Sequence, residues 1–272
     1  MNENRRITLM AGGILLLLAA VGAYLFWPAP APPDATTPVA ASPATPEAPA
    51  SSATTAATEP LPDHYTLPAT ATPAEAAALP ALAESDGPFS AAMGGLADPA
   101  LLLRVLVSEQ LIRRLVATVD NLPRERLAMN DRAFRRMPDS FMVKSRDGSY
   151  ALNPANEARY VLPVQLANTA GADNTARLYL RFYPLFDKAY RELGDPDRHF
   201  NDRLVQVIDH LLATPEITGP IELVQPKVFY QFADPALESR SAGQKMLIRM
   251  GTVNAAQVKA WLRTFRAQIT AA

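Results

Sequence analysis

The densest polar cluster of the chain is Arg198–Arg203, RHFNDR, and its residue types suit acid–base, metal or anion chemistry. If a helix begins early enough, His199, Arg203, Gln206 and His210 align at i, i+4, i+7 and i+11, with Asp202 and Asp209 on an adjoining face. A metal would need neutral histidine nitrogens and carboxylates at such spacing. The chain has three histidines, and His64 is remote from the other two, so the alignment reads first as a solvated or salt-bridged helix face. A second cluster is basic. No acid follows Glu238, while Arg240, Lys245, Arg249, Lys259, Arg263 and Arg266 add six positive charges. Lys245/Arg249 and Lys259/Arg263/Arg266 recur at helical spacing, which predicts cationic stripes opposite the apolar faces. Such stripes are either solvated or meet anionic lipid head groups, an acidic wall polymer or an acidic protein. Segment 104–146, with ten bases against five acids, can add to that surface.

Several chemistries are excluded. There is no cysteine, hence no disulfide, thiol nucleophile or acylated cysteine. GxSxG, SxxK and the phosphate-cradling GxxxxGK[ST] and GxGxxG motifs are absent. No catalytic residue, metal ligand or cofactor is assigned on this basis.

The positioning elements begin with an uncharged run, Ile7–Trp27, long enough to cross a roughly 30 Å hydrocarbon core as a helix. Tyr24, Phe26 and Trp27 suit an interface at its far end, and Pro28 ends it. A cleaved signal peptide is the rival, but the apolar run passes through the best cleavage site, Val21-Gly22-Ala23. Arg5 and Arg6 keep the short flank cytoplasmic, so the rest should lie on the other side of a bacterial inner membrane, in the periplasm. That placement makes nucleic acid an improbable partner. Residues 28–79 hold 12 of the 25 prolines and no Gly, Lys or Arg, and read as a disordered tether. Residues 80–272 carry 24 Lys+Arg against 21 Asp+Glu and are long enough for one domain.

Within that domain the expected class is mainly α, with about six or seven helices and one or two small β-hairpins. Asp98-Pro99, Asn153-Pro154, Asp173, Asn201, Asp234-Pro235 and Ser241 read as helix starts. Leu178, Phe182, Leu185, Phe186, Ala189 and Leu193 form a core stripe, so the helix carrying them should be central. The Asp147-Gly148 turn should pair Ser145 with Tyr150 and Val143 with Leu152. A second extended pair is expected over 221–224 and 227–232.

Four segments together carry a resemblance: VDNLPRERL (119–127), PDRHFNDRL (196–204), QPKVFYQFADPALE (225–238) and SAGQKMLIRMG (241–251). They resemble the bacterial membrane-anchored family known as domain of unknown function 3014. The resemblance implies an envelope protein and brings no activity with it. It singles out Arg198, Asn201, Asp202, Arg203, Lys227, Tyr230, Asp234, Gln244, Lys245 and Arg249, to which the basic pattern adds Lys259 and Arg263. The expected function is a non-enzymatic domain docking on a protein or an anionic envelope component. The alternatives are an envelope hydrolase using acidic and histidine residues of 198–210, which requires a pocket holding two or more of Asp202, Asp209, His199 and Lys227, and an assembly factor for a membrane complex.

Overall fold

The computed structural model describes residues 65–68, 79–126, 132–135, 140–194 and 196–270. Among these no helix is long and apolar enough to cross a membrane, and the apolar run 7–27 lies outside them.

A short 3-10 turn, Leu82–Glu84, leads into α1 (Asp86–Gly94), α2 (Pro99–Val105) and α3 (Leu111–Asn121). The Asp98 carboxylate accepts from Ala100 N and Pro99 fills the first helical position, which fixes the start of α2. The start of α3 is served from a distance. Both Asp86 carboxylate oxygens accept from the backbone, of Gln110 at 2.7 Å and of Leu111 at 2.8 Å. After a 3-10 turn at Pro154–Glu157 come α4 (Ala158–Ala170), α5 (Ala172–Arg191) and α6 (Phe200–Leu212). The chain closes with α7 (Pro235–Glu238), α8 (Ala242–Arg249) and α9 (Thr252–Ile269). The described residues thus hold nine α-helices, more than the six or seven expected, because several are too short to show a clear period.

Helix α5 is central and packs against α1, α3, α4, α6 and α9. Its aromatic side chains build the middle of the core. Phe186 stacks on Phe200 at 5.8 Å, Phe182 meets Phe89 edge-on at 5.1 Å, and Tyr179 lies 5.8 Å from Phe265. The indole of Trp261 donates to Ala167 O at 3.1 Å and ties α9 to α4.

The strands β1 (Val143–Arg146), β2 (Ser149–Leu152), β3 (Glu222–Val224) and β4 (Gln231–Phe232) form one antiparallel sheet in the order β1-β2-β3-β4. Val143 pairs with Leu152 and Ser145 with Tyr150, the register the two-residue turn predicts. Asp147 and Gly148 both have positive φ, as that turn requires. The two expected hairpins are not separate, because Tyr150 pairs with Leu223 and joins them. The inner face carries Val143, Tyr150, Leu152, Leu223 and Phe232, which pack with Leu237 and Ile248 into a second, smaller core. Helix α8 lies between the cores, giving Met246 and Leu247 to the main one and Ile248 to the sheet.

Four sequence expectations are corrected. Asp173 does not cap α5, whose cap position is Gly171, because the positive-φ glycine ends α4 and the helix starts at Ala172. Leu193, placed on the core stripe, lies past the end of α5 and is exposed. Asn201 does not cap α6: His199 holds the cap position, and the amide of Phe200 donates to Asp187 Oδ1 of α5 at 3.0 Å. Residues Tyr65–Pro68, counted with the tether on composition, include a docked segment. Tyr65 N donates to Asp202 Oδ1 at 2.8 Å, Asn201 Nδ2 donates to Tyr65 O at 3.4 Å, and Leu67 packs against the main core.

Candidate functional site

The residues singled out from sequence do not assemble in one place. Asn201 is buried and joins three elements: it accepts from the Tyr179 hydroxyl at 3.2 Å and donates to Ile269 O at 3.3 Å and to Tyr65 O. Burial pushes the Tyr179 phenol well above its usual range, with like-charge pressure from Tyr183 and Asp187 added, so it remains a donor. Asp202 holds Tyr65, as above. Arg203 donates to Asp120 Oδ1 at 2.8 Å and to Asp120 O at 2.9 Å, locking α6 to α3. His199 Nδ1 lies 3.4 Å from Asp187 and 3.2 Å from Arg191, beside half-exposed Arg198. Asp209 takes a two-point contact from Arg266 at 2.7 and 2.9 Å. Lys227 is exposed on the loop between β3 and β4, Tyr230 packs on Tyr150 at 5.3 Å, and Asp234 caps α7. Among the described residues, no group of three or more His, Asp or Glu could hold a metal ion.

The basic C-terminal stretch lies differently from the stripes that helical spacing predicts. Lys245 is buried and donates to Glu238 O at 2.9 Å and to Glu238 Oε1 at 3.2 Å. Arg249 is buried with its guanidinium 4.6 Å from the centre of the Phe232 ring. Lys259, 5 % exposed, points inward and donates to Thr214 O. Arg263 is exposed.

Arg249 and Lys259 nevertheless share a feature that sequence did not reveal. Both line a cleft of about 530 Å³ between the end of β2, the loop 214–221 and the α8–α9 junction. Leu152, Ile217, Ile221, Leu247, Ile248 and Ala255 supply its apolar walls. An ammonium carries three donors, and Lys259 gives one to a neutral carbonyl. Among the described residues no carboxylate pairs with it. A positive charge held in this way, at the edge of an open apolar cavity, favours an incoming anion. The start of α9 faces the same cleft. Gly251 has φ +82°, and the Glu157 carboxyl packs directly over its Cα. Asn254 seals this corner by donating to Glu157 O at 3.0 Å and to Met250 O at 2.9 Å. The only sequence signals for the cleft were Pro215, Gly219 and Pro220 in one loop, and a lysine next to apolar Val258.

At the other end of α8 a polar box closes the helix start. Ser241 Oγ accepts from Gln244 N at 3.2 Å and lies 2.8 Å from His210 Nε2, while Gln244 Nε2 donates to His210 O at 3.0 Å. This arrangement suits a neutral imidazole accepting the serine proton. Burial first, then Arg203 and Arg240, hold His210 below its ordinary value of 6.5. The unfolded chain therefore takes up a proton before the folded one does. The stabilising contribution is present above about pH 6.5 and is lost as pH falls through the folded value. Thermal melts between about pH 7.5 and 5.5 should show the melting temperature dropping on acidification, and His210→Gln should flatten that part of the profile.

A helical layer around one central helix, flanked by a small antiparallel sheet and an open cleft of mixed charge, defines a mainly helical domain with a second core. A family model described as Protein of unknown function (DUF3014) matches residues 111–266, more than half of the chain. The chain belongs to that family. No curated protein and no solved structure matches it.

Proposed function

We propose that this chain is a membrane-tethered, non-enzymatic binding domain of the bacterial envelope, and that it takes an anionic, partly apolar group in the cleft beside Lys259. The observation that carries this reading is the buried Lys259 ammonium, which lines an apolar cavity without a carboxylate partner among the described residues. Arg249 and Lys144 add cations on the same lining, against the two carboxylates of Glu157 and Glu216, which leaves one net positive charge around the cleft. The apolar run Ile7–Trp27, preceded by Arg5 and Arg6, supports the anchor and a periplasmic domain. The carboxylates considered for hydrolysis, Asp202 and Asp209, are engaged by Tyr65 and Arg266 and do not line the cleft.

The test is a titration of the full chain in detergent with decyl phosphate and, separately, with decanol. The phosphate should bind and the alcohol should not. Lys259→Met should lower phosphate affinity about tenfold or more, the loss expected for a charge-assisted hydrogen bond. Equal binding of phosphate by the variant would sink the reading.

A further inference from the structure

The far end of the sheet has a different surface from the cleft. Because β2 and β3 run antiparallel with Tyr150 opposite Leu223, the Asp147-Gly148 turn and the segment 225–230 leave the sheet at the same end. Three large apolar side chains there face solvent: Val224 at 43 %, Val228 at 57 % and Phe229 at 44 % exposure. They stand among cations. Lys227 is exposed within the same loop, and Arg146, on the neighbouring turn, has 91 % of its side chain in solvent. Asp147 lies 3.5 Å from Arg146, and the segment 225–230 carries no acid. The loop is held from beneath. Tyr230 turns inward onto Tyr150 and Phe141, and Gln225 Nε2 donates to Val228 O at 3.2 Å, which keeps Val228 at the crest.

We infer that this sheet tip is a membrane-surface contact, with Val228 and Phe229 entering the interface of an anionic bilayer and Lys227 and Arg146 meeting its head groups. A crest of valine and phenylalanine flanked by long cationic side chains matches the layered chemistry of a bilayer interface, apolar below and anionic above. Two apolar side chains alone bind a bilayer weakly, so the contact requires a chain already held near the surface. The inference therefore rests on the anchor proposed for Ile7–Trp27.

The absence of cysteine makes the experiment clean, since one introduced thiol takes a single environment-sensitive fluorophore. Val228→Cys carries the probe at the crest. Val253→Cys, 64 % exposed at the start of α9, carries the same probe on the same residue type elsewhere. Full chains are reconstituted into vesicles of phosphatidylcholine and phosphatidylglycerol and floated on a density gradient. The expected result is flotation of both, with a blue shift and quenching by brominated lipid at position 228 alone. Adding Phe229→Asp and Lys227→Glu should abolish the shift while flotation persists. Flotation with a water-exposed probe at 228 overturns the tip contact and leaves the anchor intact. A chain that does not float overturns both. A blue shift without vesicles points to a second copy of the chain as the occupant, and overturns the lipid assignment.

Discussion

Replacing Gly251 by alanine is expected to destabilise the domain by about 1–3 kcal/mol before any steric overlap is counted. The backbone there has φ 82° and ψ 161°, a region that residues with a Cβ essentially never occupy. An added methyl group would also run into the Glu157 carboxyl, which is packed over the Cα. For a domain of this size each kcal/mol moves the melting temperature by about 2–4 °C. The variant should thus melt roughly 2–12 °C lower, as read by circular dichroism. Adding Glu157→Ala should recover the part due to overlap and leave the backbone part. Because Gly251 lines the cleft, decyl phosphate should bind the single variant more weakly as well. An alanine variant that melts with the parent would show that the α8–α9 junction relaxes freely.

Charge reversal at Lys259 is the second large effect. Lys259→Glu turns a buried donor into a buried acceptor facing Thr214 O, and leaves two acceptors and a negative charge in the interior. An uncompensated buried charge costs about 3–5 kcal/mol, a large share of the roughly 5–15 kcal/mol that holds a domain folded. The expected outcome is an insoluble or molten chain. Lys259→Met keeps the length of the side chain without the charge. It loses one hydrogen bond to a backbone carbonyl, about 1–3 kcal/mol, partly offset by apolar contact with the cleft wall. The pair of variants separates fold from binding, since methionine should retain a cooperative melt and lose the anion. If the glutamate variant melts like the parent, Lys259 is not in the interior.

Much of the helical layer was legible in the sequence, and the reasons are local. The stripe from Leu178 to Leu193 marked α5 as central because that helix buries one broad face, although Leu193 itself lies past the helix end at Arg191 and is exposed. The Asp147-Gly148 pair set the hairpin register because two positive-φ positions define the turn. The failure at α8 is equally physical. Every residue from Ala242 to Arg249 is buried, because a helix enclosed between two cores has no solvent face. Spacing assigns its cations to the side opposite the apolar residues, and here that side is the sheet. Lys245 and Arg249 thus reach a carbonyl and an aromatic ring instead of water. The joining of β2 to β3 is a pairing across some seventy residues, which no local pattern encodes. The cleft was hidden for the same reason, since its walls come from four separate segments.

The docking of Tyr65 has a mechanical consequence. Its amide and carbonyl are both held by side chains of the first turn of α6, and Arg266 of α9 lies 5.8 Å from its ring centre. Tension arriving along the chain from upstream is therefore delivered at Asn201 and Asp202, into the aromatic middle of the core. The short turn at Leu82–Glu84 and the helices after it are shielded from that load. In the tethered arrangement proposed above, such a load would enter at the residue pair Asn201-Asp202 rather than at the first helix.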